Sequence, residues 1–523
     1  MTKNFKKFLL LLILLVNASC QIQAMTSNNY ADPDPRYATL DPHEFLYRKE
    51  REWLKGFDDS PSRPSERVRF SISPFIQFAD RGRDINNNQE YLGDLNGRWN
   101  MIAMLFGATP EDMSLPTTLQ TAKDNLFGYN IPVVQDPGLY VDPNKQFGFF
   151  AVPLQYKKFG GRFEFDLRLF KDFGVLVQTG YACICQRQQD LCKKYDICGG
   201  VTCNGGTCKN VMLKSSEIEE ITKADTSCGT TADATACSHL GYTLPVNLTN
   251  CLDDAAQVPA STSIPSGSTI KPIKKADAQY YLMNQLYTIA QEIGVSLCDF
   301  EKNSIEDVRF NLYWRHAIEV NRGKEQDWPN FLFIPFAELC YTAAVGDIKD
   351  QCLMFSLPFG NNGHDAIGGK VGFLIDFTQT MEIGIDAGAT HFFEKTFTNY
   401  RMPTSIYQTG IFPFATTAKV CPGLNCFGTF KLAAYHFLGN LSTYWQYAIV
   451  SHNNDKICLC KPDSAFIPSV LEKRSCWNSQ MLNIAFNYDI SPNLTLGAYC
   501  QAPLWQKRAY ASTTVMLGLN ATF

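Results

Sequence analysis

The last thirteen residues, Ala511 to Phe523, read A-S-T-T-V-M-L-G-L-N-A-T-F. Val515, Leu517, Leu519, Ala521 and Phe523 share one parity, while Thr514, Met516, Gly518, Asn520 and Thr522 share the other. A period of two describes a β-strand with one apolar and one polar face. An aromatic-ended strand at a terminus frays in water unless a sheet claims it, so the pattern asks what lies beside it.

Upstream, the same grammar returns. Leu494, Leu496 and Ala498 alternate with Thr495, Gly497 and Tyr499, and Leu482, Ile484, Phe486 and Tyr488 alternate with Asn483, Ala485 and Asn487; Asp489 to Asn493 is the turn between them. Val371, Phe373 and Ile375 lead through Asp376–Thr380 into Met381, Ile383 and Ile385. Phe163, Phe165, Leu167 and Leu169 lead through Lys171-Asp172 into Phe173, Val175 and Val177. Further strands are predicted over Val68–Phe78, Val308–His316, Phe331–Tyr341, Thr429–Phe437 and Tyr444–Val450, with an ambiguous one at 147–156. Many run to about nine to eleven residues, the length a tilted strand needs to cross a bilayer and more than soluble strands usually have.

The connections alternate in length. Asp489–Asn493, Leu438–Leu441, Asp376–Thr380 and Lys171-Asp172 are tight, whereas 503–510, 452–477, 393–427, 343–365 and above all 183–305 are long. With its aromatic end, alternating strands and unequal loops, the chain resembles bacterial outer-membrane β-barrel proteins, a porin-like class, over residues 67–523. The resemblance implies an all-β, antiparallel up-and-down transmembrane barrel. It also implies that Phe523 is an assembly signal read by the outer-membrane assembly machinery, that short turns face the periplasm, and that long loops face outward. A bacterial barrel with both ends in the periplasm needs an even strand number. Folding 147–156 into an outer hairpin or the next strand gives twelve; a strand hidden in 79–146 would give fourteen.

Lys3, Lys6 and Lys7 before the apolar run Phe8–Val16, with small residues at Ala18, Ser19 and Ala24, have the layout of a secretory signal peptide. Cleavage is expected within 1–24, after Ala18, Cys20 or Ala24; acylation of Cys20 is a second reading, disfavoured by Asn17 where a lipobox carries an aliphatic residue. Residues 25–66 read as a periplasmic segment, with a helix begun by Asp41-Pro42 and a linker Ser60-Pro-Ser-Arg-Pro-Ser65. The chain has nineteen cysteines, eighteen if Cys20 leaves with the signal, and export places them in an oxidising compartment. Cys183, Cys185, Cys192, Cys198, Cys203, Cys208, Cys228, Cys237 and Cys251 crowd one stretch, and Cys421, Cys426, Cys458, Cys460 and Cys476 lie in or beside later loops; all are disulfide candidates. The spacings lack the paired C-x-x-C sets of zinc sites, and no metal or cofactor is expected. Residues 183–305 thus read as a disulfide-rich extracellular insertion, with a helix predicted at Lys274–Leu297 from Ala278, Leu282, Leu286, Ile289, Ile293 and Leu297.

If the apolar parity faces outer-membrane lipid, the other parity names the lumen. It carries Arg69, Arg162, Glu164, Asp166, Arg168, Arg309, Arg315, Lys370, Asp376, Glu382 and Asp386, all on the side that avoids lipid. Six cations against five anions give no ion preference. The predicted function is an open or gated channel for small solutes, against a barrel knitted shut by ion pairs. The alternatives are a surface receptor or adhesin whose insertion binds an unknown ligand, and a soluble β-sandwich. A net charge of −4 without a basic cluster argues against nucleic acid. His316, His364, His391 and His436 belong to no Ser, His and acid set, so no enzyme is expected.

Overall fold

A computed structural model describes residues 68–121, 149–188, 201–208, 285–320 and 331–522, with breaks of one to three residues. The signal segment, the 25–66 segment with its helix and Phe523 lie outside the described residues, as does most of the cysteine-rich insertion.

Twelve antiparallel strands close on themselves: β1 (Val68–Ala79), β2 (Leu154–Arg168), β3 (Phe173–Gln188), β4 (Phe300–Ile305 continuing as Val308–Arg315), β5 (Phe331–Ala343), β6 (Ala366–Phe377), β7 (Met381–Phe392), β8 (Asn425–Leu438), β9 (Leu441–His452), β10 (Trp477–Ser491), β11 (Leu494–Lys507) and β12 (Thr513–Thr522). Each pairs with its neighbours in sequence, and β12 closes on β1 with Arg69 opposite Thr522 and Phe78 opposite Thr513. Closure leaves the barrel no free edge. Twelve, not fourteen, is therefore the strand number. Of the ambiguous 147–156, residues 154–156 open β2, while Phe149–Phe150 pairs with Trp99–Asn100 outside the barrel. In 79–146 the described strands are short and belong to the mouth.

The alternation read from sequence is the alternation of burial. Phe70, Ile72, Phe163, Phe165, Phe310, Leu312, Ile385, Phe430, Leu496, Val515, Leu517 and Leu519 are all exposed, with Val371 at 64 % and Leu517 at 56 %. Their neighbours on the other parity, among them Ser71, Glu164, Asn311, Asp386, Lys431, Asn483 and Asn520, are buried. A polar interior inside a continuous apolar exterior inverts a soluble protein and matches a wall solvated by lipid.

At one end the links are short, Arg168 to Phe173, Phe377 to Met381, Leu438 to Leu441 and Ser491 to Leu494, except for the longer link from Arg315 to Phe331. At 439–440 the turn uses Gly439 at φ 61, a conformation glycine adopts without steric cost. The opposite end carries a built cap. Segments 81–121, 286–297, 353–359 and Ile411 pack Leu92, Trp99, Met104, Leu119, Leu286, Ile289, Phe355 and Phe359 into one apolar cluster. A three-stranded sheet of Lys395–Met402, Phe414–Cys421 and Lys456–Leu459, with helix α2 (Pro468–Ser475), forms a second around Phe397, Phe414, Val420 and Leu471; Leu115 touches both. Of the predicted 274–297 helix, residues 274–284 lie outside the described residues, and Leu286–Glu292 forms α1, inside the first cluster, ending at Ile293.

The insertion is narrower than 183–305. β3 runs to Gln188 and the wall resumes at Phe300, so Cys183 and Cys185 belong to a stave rather than a loop. Among the described residues ten cysteines, Cys183, Cys185, Cys340, Cys352, Cys421, Cys426, Cys458, Cys460, Cys476 and Cys500, are free thiols, and Cys298 is disulfide-bonded.

Candidate functional site: the lumen and its closed mouth

All eleven charged residues assigned to the lumen lie on the less exposed parity of their strands. They belong to β1–β7, one side of the barrel, and there they are paired. Towards the tight-turn end, Arg69 Nη1 lies 3.9 Å from Asp166 Oδ2, and the Tyr313 hydroxyl donates to Asp166 Oδ1 at 2.8 Å. The Arg315 guanidinium sits 5.2 Å from the Tyr313 ring centre and 5.8 Å from that of Phe336. Lys370 Nζ meets Glu338 Oε2 at 2.8 Å, and Lys431 Nζ meets Asp386 Oδ2 at 2.5 Å over the ring of Phe336. Tyr435 donates to Glu382 at 2.9 Å, and Gln178 to Glu164 at 3.4 Å. Arg309 Nε contacts Cys340 Sγ. Asp376, directly opposite Glu382, is buried, and Arg168 is half-buried near the turn. Low dielectric makes such pairs sensitive to loss of one partner.

Sequence reasoning missed Lys158, Glu306, Glu338 and Lys431. Glu306 is fully buried, with Lys158 Nζ at 2.7 Å and Arg162 Nε at 3.1 Å. It stands in a bulge of β4: Ile305 faces Tyr181 and Arg309 faces Gln178, so four steps on one strand oppose three on the other. The bulge resets which parity points inward, and a strict count of two passes over it. Glu338 and Lys431 obey the period and were within reach of it.

The other side, β9–β12 with the loop-end half of β1, is lined by neutral amides and hydroxyls. Asn483 donates to Gln446 at 2.9 Å and accepts from the Tyr499 hydroxyl at 2.8 Å. Tyr156 donates to Gln77, Gln77 to Thr514, and Thr514 to Gln501, at 2.9, 3.1 and 3.2 Å. Ser71 donates to Asn520 at 3.3 Å. Charge was the signal used to find lumen residues, and this wall has almost none; inward parity alone would have named Gln446, Asn483, Gln501 and Asn520.

At the loop end the cap packs onto the inner face of the wall. The apolar cluster of the cap is continuous with inward-facing Phe75, Tyr156, Ala433, Tyr444, Ala485, Tyr499 and Met516. Asp307, next to Glu306 in the bulge, holds the cap segment 344–365: its carboxylate accepts from the backbone N–H groups of Gly346 at 2.9 Å and Asn361 at 2.6 Å. Gly360 (φ +149) lies against that carboxylate so closely that a Cβ there would collide with it. His364 is buried, its Nδ1 2.8 Å from the Phe393 carbonyl, its ring 5.5 Å from Phe397, and its Nε2 without a partner among the described residues. Burial lowers its pKa from the ordinary histidine value.

The other candidate histidines are dispersed. His316 pairs with Asp172 and His436 approaches Asp489 at the tight-turn end, and His391 is exposed on the outer parity beside Phe393. His452, outside that set, is buried between Asn425 at 2.6 Å and Asp455 at 2.8 Å and stacks on Trp477, joining barrel rim to cap. Of the disulfide candidates, Cys203 and Cys208 lie on the paired short strands Val201–Cys203 and Gly206–Cys208. Cys192, Cys198, Cys228, Cys237 and Cys251 fall outside the described residues.

No family model matches the chain, and no curated protein does. Among solved structures it is similar to an outer membrane channel from Pseudomonas putida F1, at 7% identity over 89% of this chain and 98% of that one with a TM-score of 0.41. The toluene transporter TodX of Pseudomonas putida covers 96% of both chains at 7% identity and TM-score 0.27. The translocator domain of the autotransporter NalP from Neisseria meningitidis covers 91% of this chain and 95% of its own at 5% and 0.29. At such values the likenesses carry no functional weight, and the closed wall itself decides the class. The chain is a twelve-strand β-barrel of the outer-membrane type.

Proposed function

We propose that this protein is an outer-membrane channel for small polar solutes, held shut in its resting state at the outer mouth. The observation that carries the reading is the division of labour inside the barrel. The staves supply a polar lumen with a charged and a neutral wall, and closure comes from inserted segments with their own apolar core. A barrel serving only as anchor has no use for a removable closure separate from its wall. The pinning of segment 344–365 by two hydrogen bonds to Asp307 gives that closure a defined point of release.

Planar-bilayer recording of the full chain tests this. The expected record is a mostly silent membrane with brief openings, and sustained conductance when Asp307→Ala frees the segment. Silence from both proteins, each shown to be folded by heat-modifiable gel migration, would instead favour the receptor or adhesin reading, with the cap as the binding surface.

A further inference from the structure

On the outer parity of β3 the apolar run Phe173, Val175 and Val177 continues through Thr179 and Tyr181 and then changes character to Cys183, Cys185 and Arg187. The neighbouring staves change at the same level. Register sets Lys157 and Glu301 on either side of Cys185, and Phe159 and Asn303 on either side of Cys183. The two thiols therefore lie just beyond the apolar belt, towards the loop end, where charged groups replace lipid-facing ones. Both are buried. Their sulfurs are 3.6 Å apart, and one carboxylate oxygen of Glu301 lies with both inside a sphere of contact in which all three atoms are within 4.8 Å of one another.

We propose that Cys183, Cys185 and Glu301 form a binding site for a soft divalent cation such as zinc or cadmium. Two thiolates bound to one tetrahedral zinc, at about 2.3 Å each, stand roughly 3.8 Å apart, close to the separation already present. A disulfide fits less well. Alternate residues of one strand have Cα atoms about 6.6 Å apart, at the outer edge of what a disulfide spans. Glu301 is also held in place: Arg187 Nη2 donates to Oε2 at 2.8 Å, as a supporting hydrogen bond does at metal sites. Three anionic ligands leave a divalent cation with one excess negative charge, which Arg187 offsets. Binding releases the two thiol protons to solvent and leaves the fourth position open. The ion would rivet the Phe300–Ile305 half of β4 to β3 beside the bulge at Glu306, a seam where ladder regularity is lost.

The test uses the full chain in detergent, purified under reductant and then freed of it without air. Zinc alone, and separately cadmium alone, are the probes. The expected result is one tightly held ion in excess of the Cys183→Ser/Cys185→Ser double variant, and a cadmium–thiolate charge-transfer band that the double variant lacks. Glu301→Gln should weaken binding by about tenfold or more, and Cys458→Ser/Cys460→Ser, at the other C-x-C, should change neither readout. Heat-modifiable migration certifies each barrel as folded, and the single Cys→Ser variants and Glu301→Gln serve if the double variant does not fold. Equal metal content and band in wild type and folded Cys183 or Cys185 variants would overturn the proposal, as would peptide mapping that finds Cys183 and Cys185 joined to each other in the purified protein.

Discussion

Asp307 shows how much of the cap hangs on single groups. Its two hydrogen bonds satisfy the half-buried Gly346 N–H and the buried Asn361 N–H of the cap, and Asp307→Ala would leave the buried one unmet at a cost of about 1–3 kcal/mol. We expect faster amide exchange across 344–365 in that variant, with the twelve staves unaffected. His364 adds a pH dependence to the same region. Its folded pKa lies below the ordinary value of 6.5 because burial disfavours the imidazolium, so in the window below 6.5 the unfolded cap binds a proton that the folded cap refuses. Stability is full above that value and falls as pH drops beneath it. Amide protection factors in the cap, corrected for the intrinsic pH dependence of exchange, should fall between about pH 7 and pH 5 in the wild type, and His364→Asn should flatten the response; an equal fall in the variant would assign the effect to other groups.

At the scale of elements, the barrel strands were legible because each is sampled by two different solvents. Lipid on one side and a polar interior on the other force strict alternation, as in Leu494–Leu496–Ala498 against Thr495–Gly497–Tyr499. The strands of the cap were not legible. Lys395–Met402 carries an irregularity between Phe397 and Tyr400 and packs into a core of its own, so no single face keeps one chemistry. The lumen was half legible for a related reason: charges on β1–β7 stood out, whereas the amide wall on β9–β12 did not, and Glu306 was hidden by the bulge that shifts its parity. The outer belt yields a depth-dependent prediction. Leu517→Arg in the middle of β12 should destabilise the barrel by about 2–4 kcal/mol in urea unfolding from lipid vesicles, and Leu504→Arg near the loop end of β11 by only about 0–1 kcal/mol. Equal effects at both positions would mean that the apolar face does not meet a bilayer.

For the whole molecule, closed pairing predicts heat-modifiable migration after extraction in detergent; a chain that stays soluble without detergent would contradict the membrane reading. The cap imposes a further condition on how the molecule is made. Its two apolar clusters draw on Leu92, Leu119, Ile289, Phe359, Phe397, Ile457 and Leu471, which leave the wall between five different pairs of staves. No local stretch of chain contains enough of that core to form it early, and contacts so distant in sequence are slow to assemble. The pieces meet only after the hairpins that carry them stand side by side across the bilayer. On the channel reading proposed above, we expect the mouth to be the last part to fold, each newly closed barrel passing through a stage in which its lumen is open before the cap settles over it.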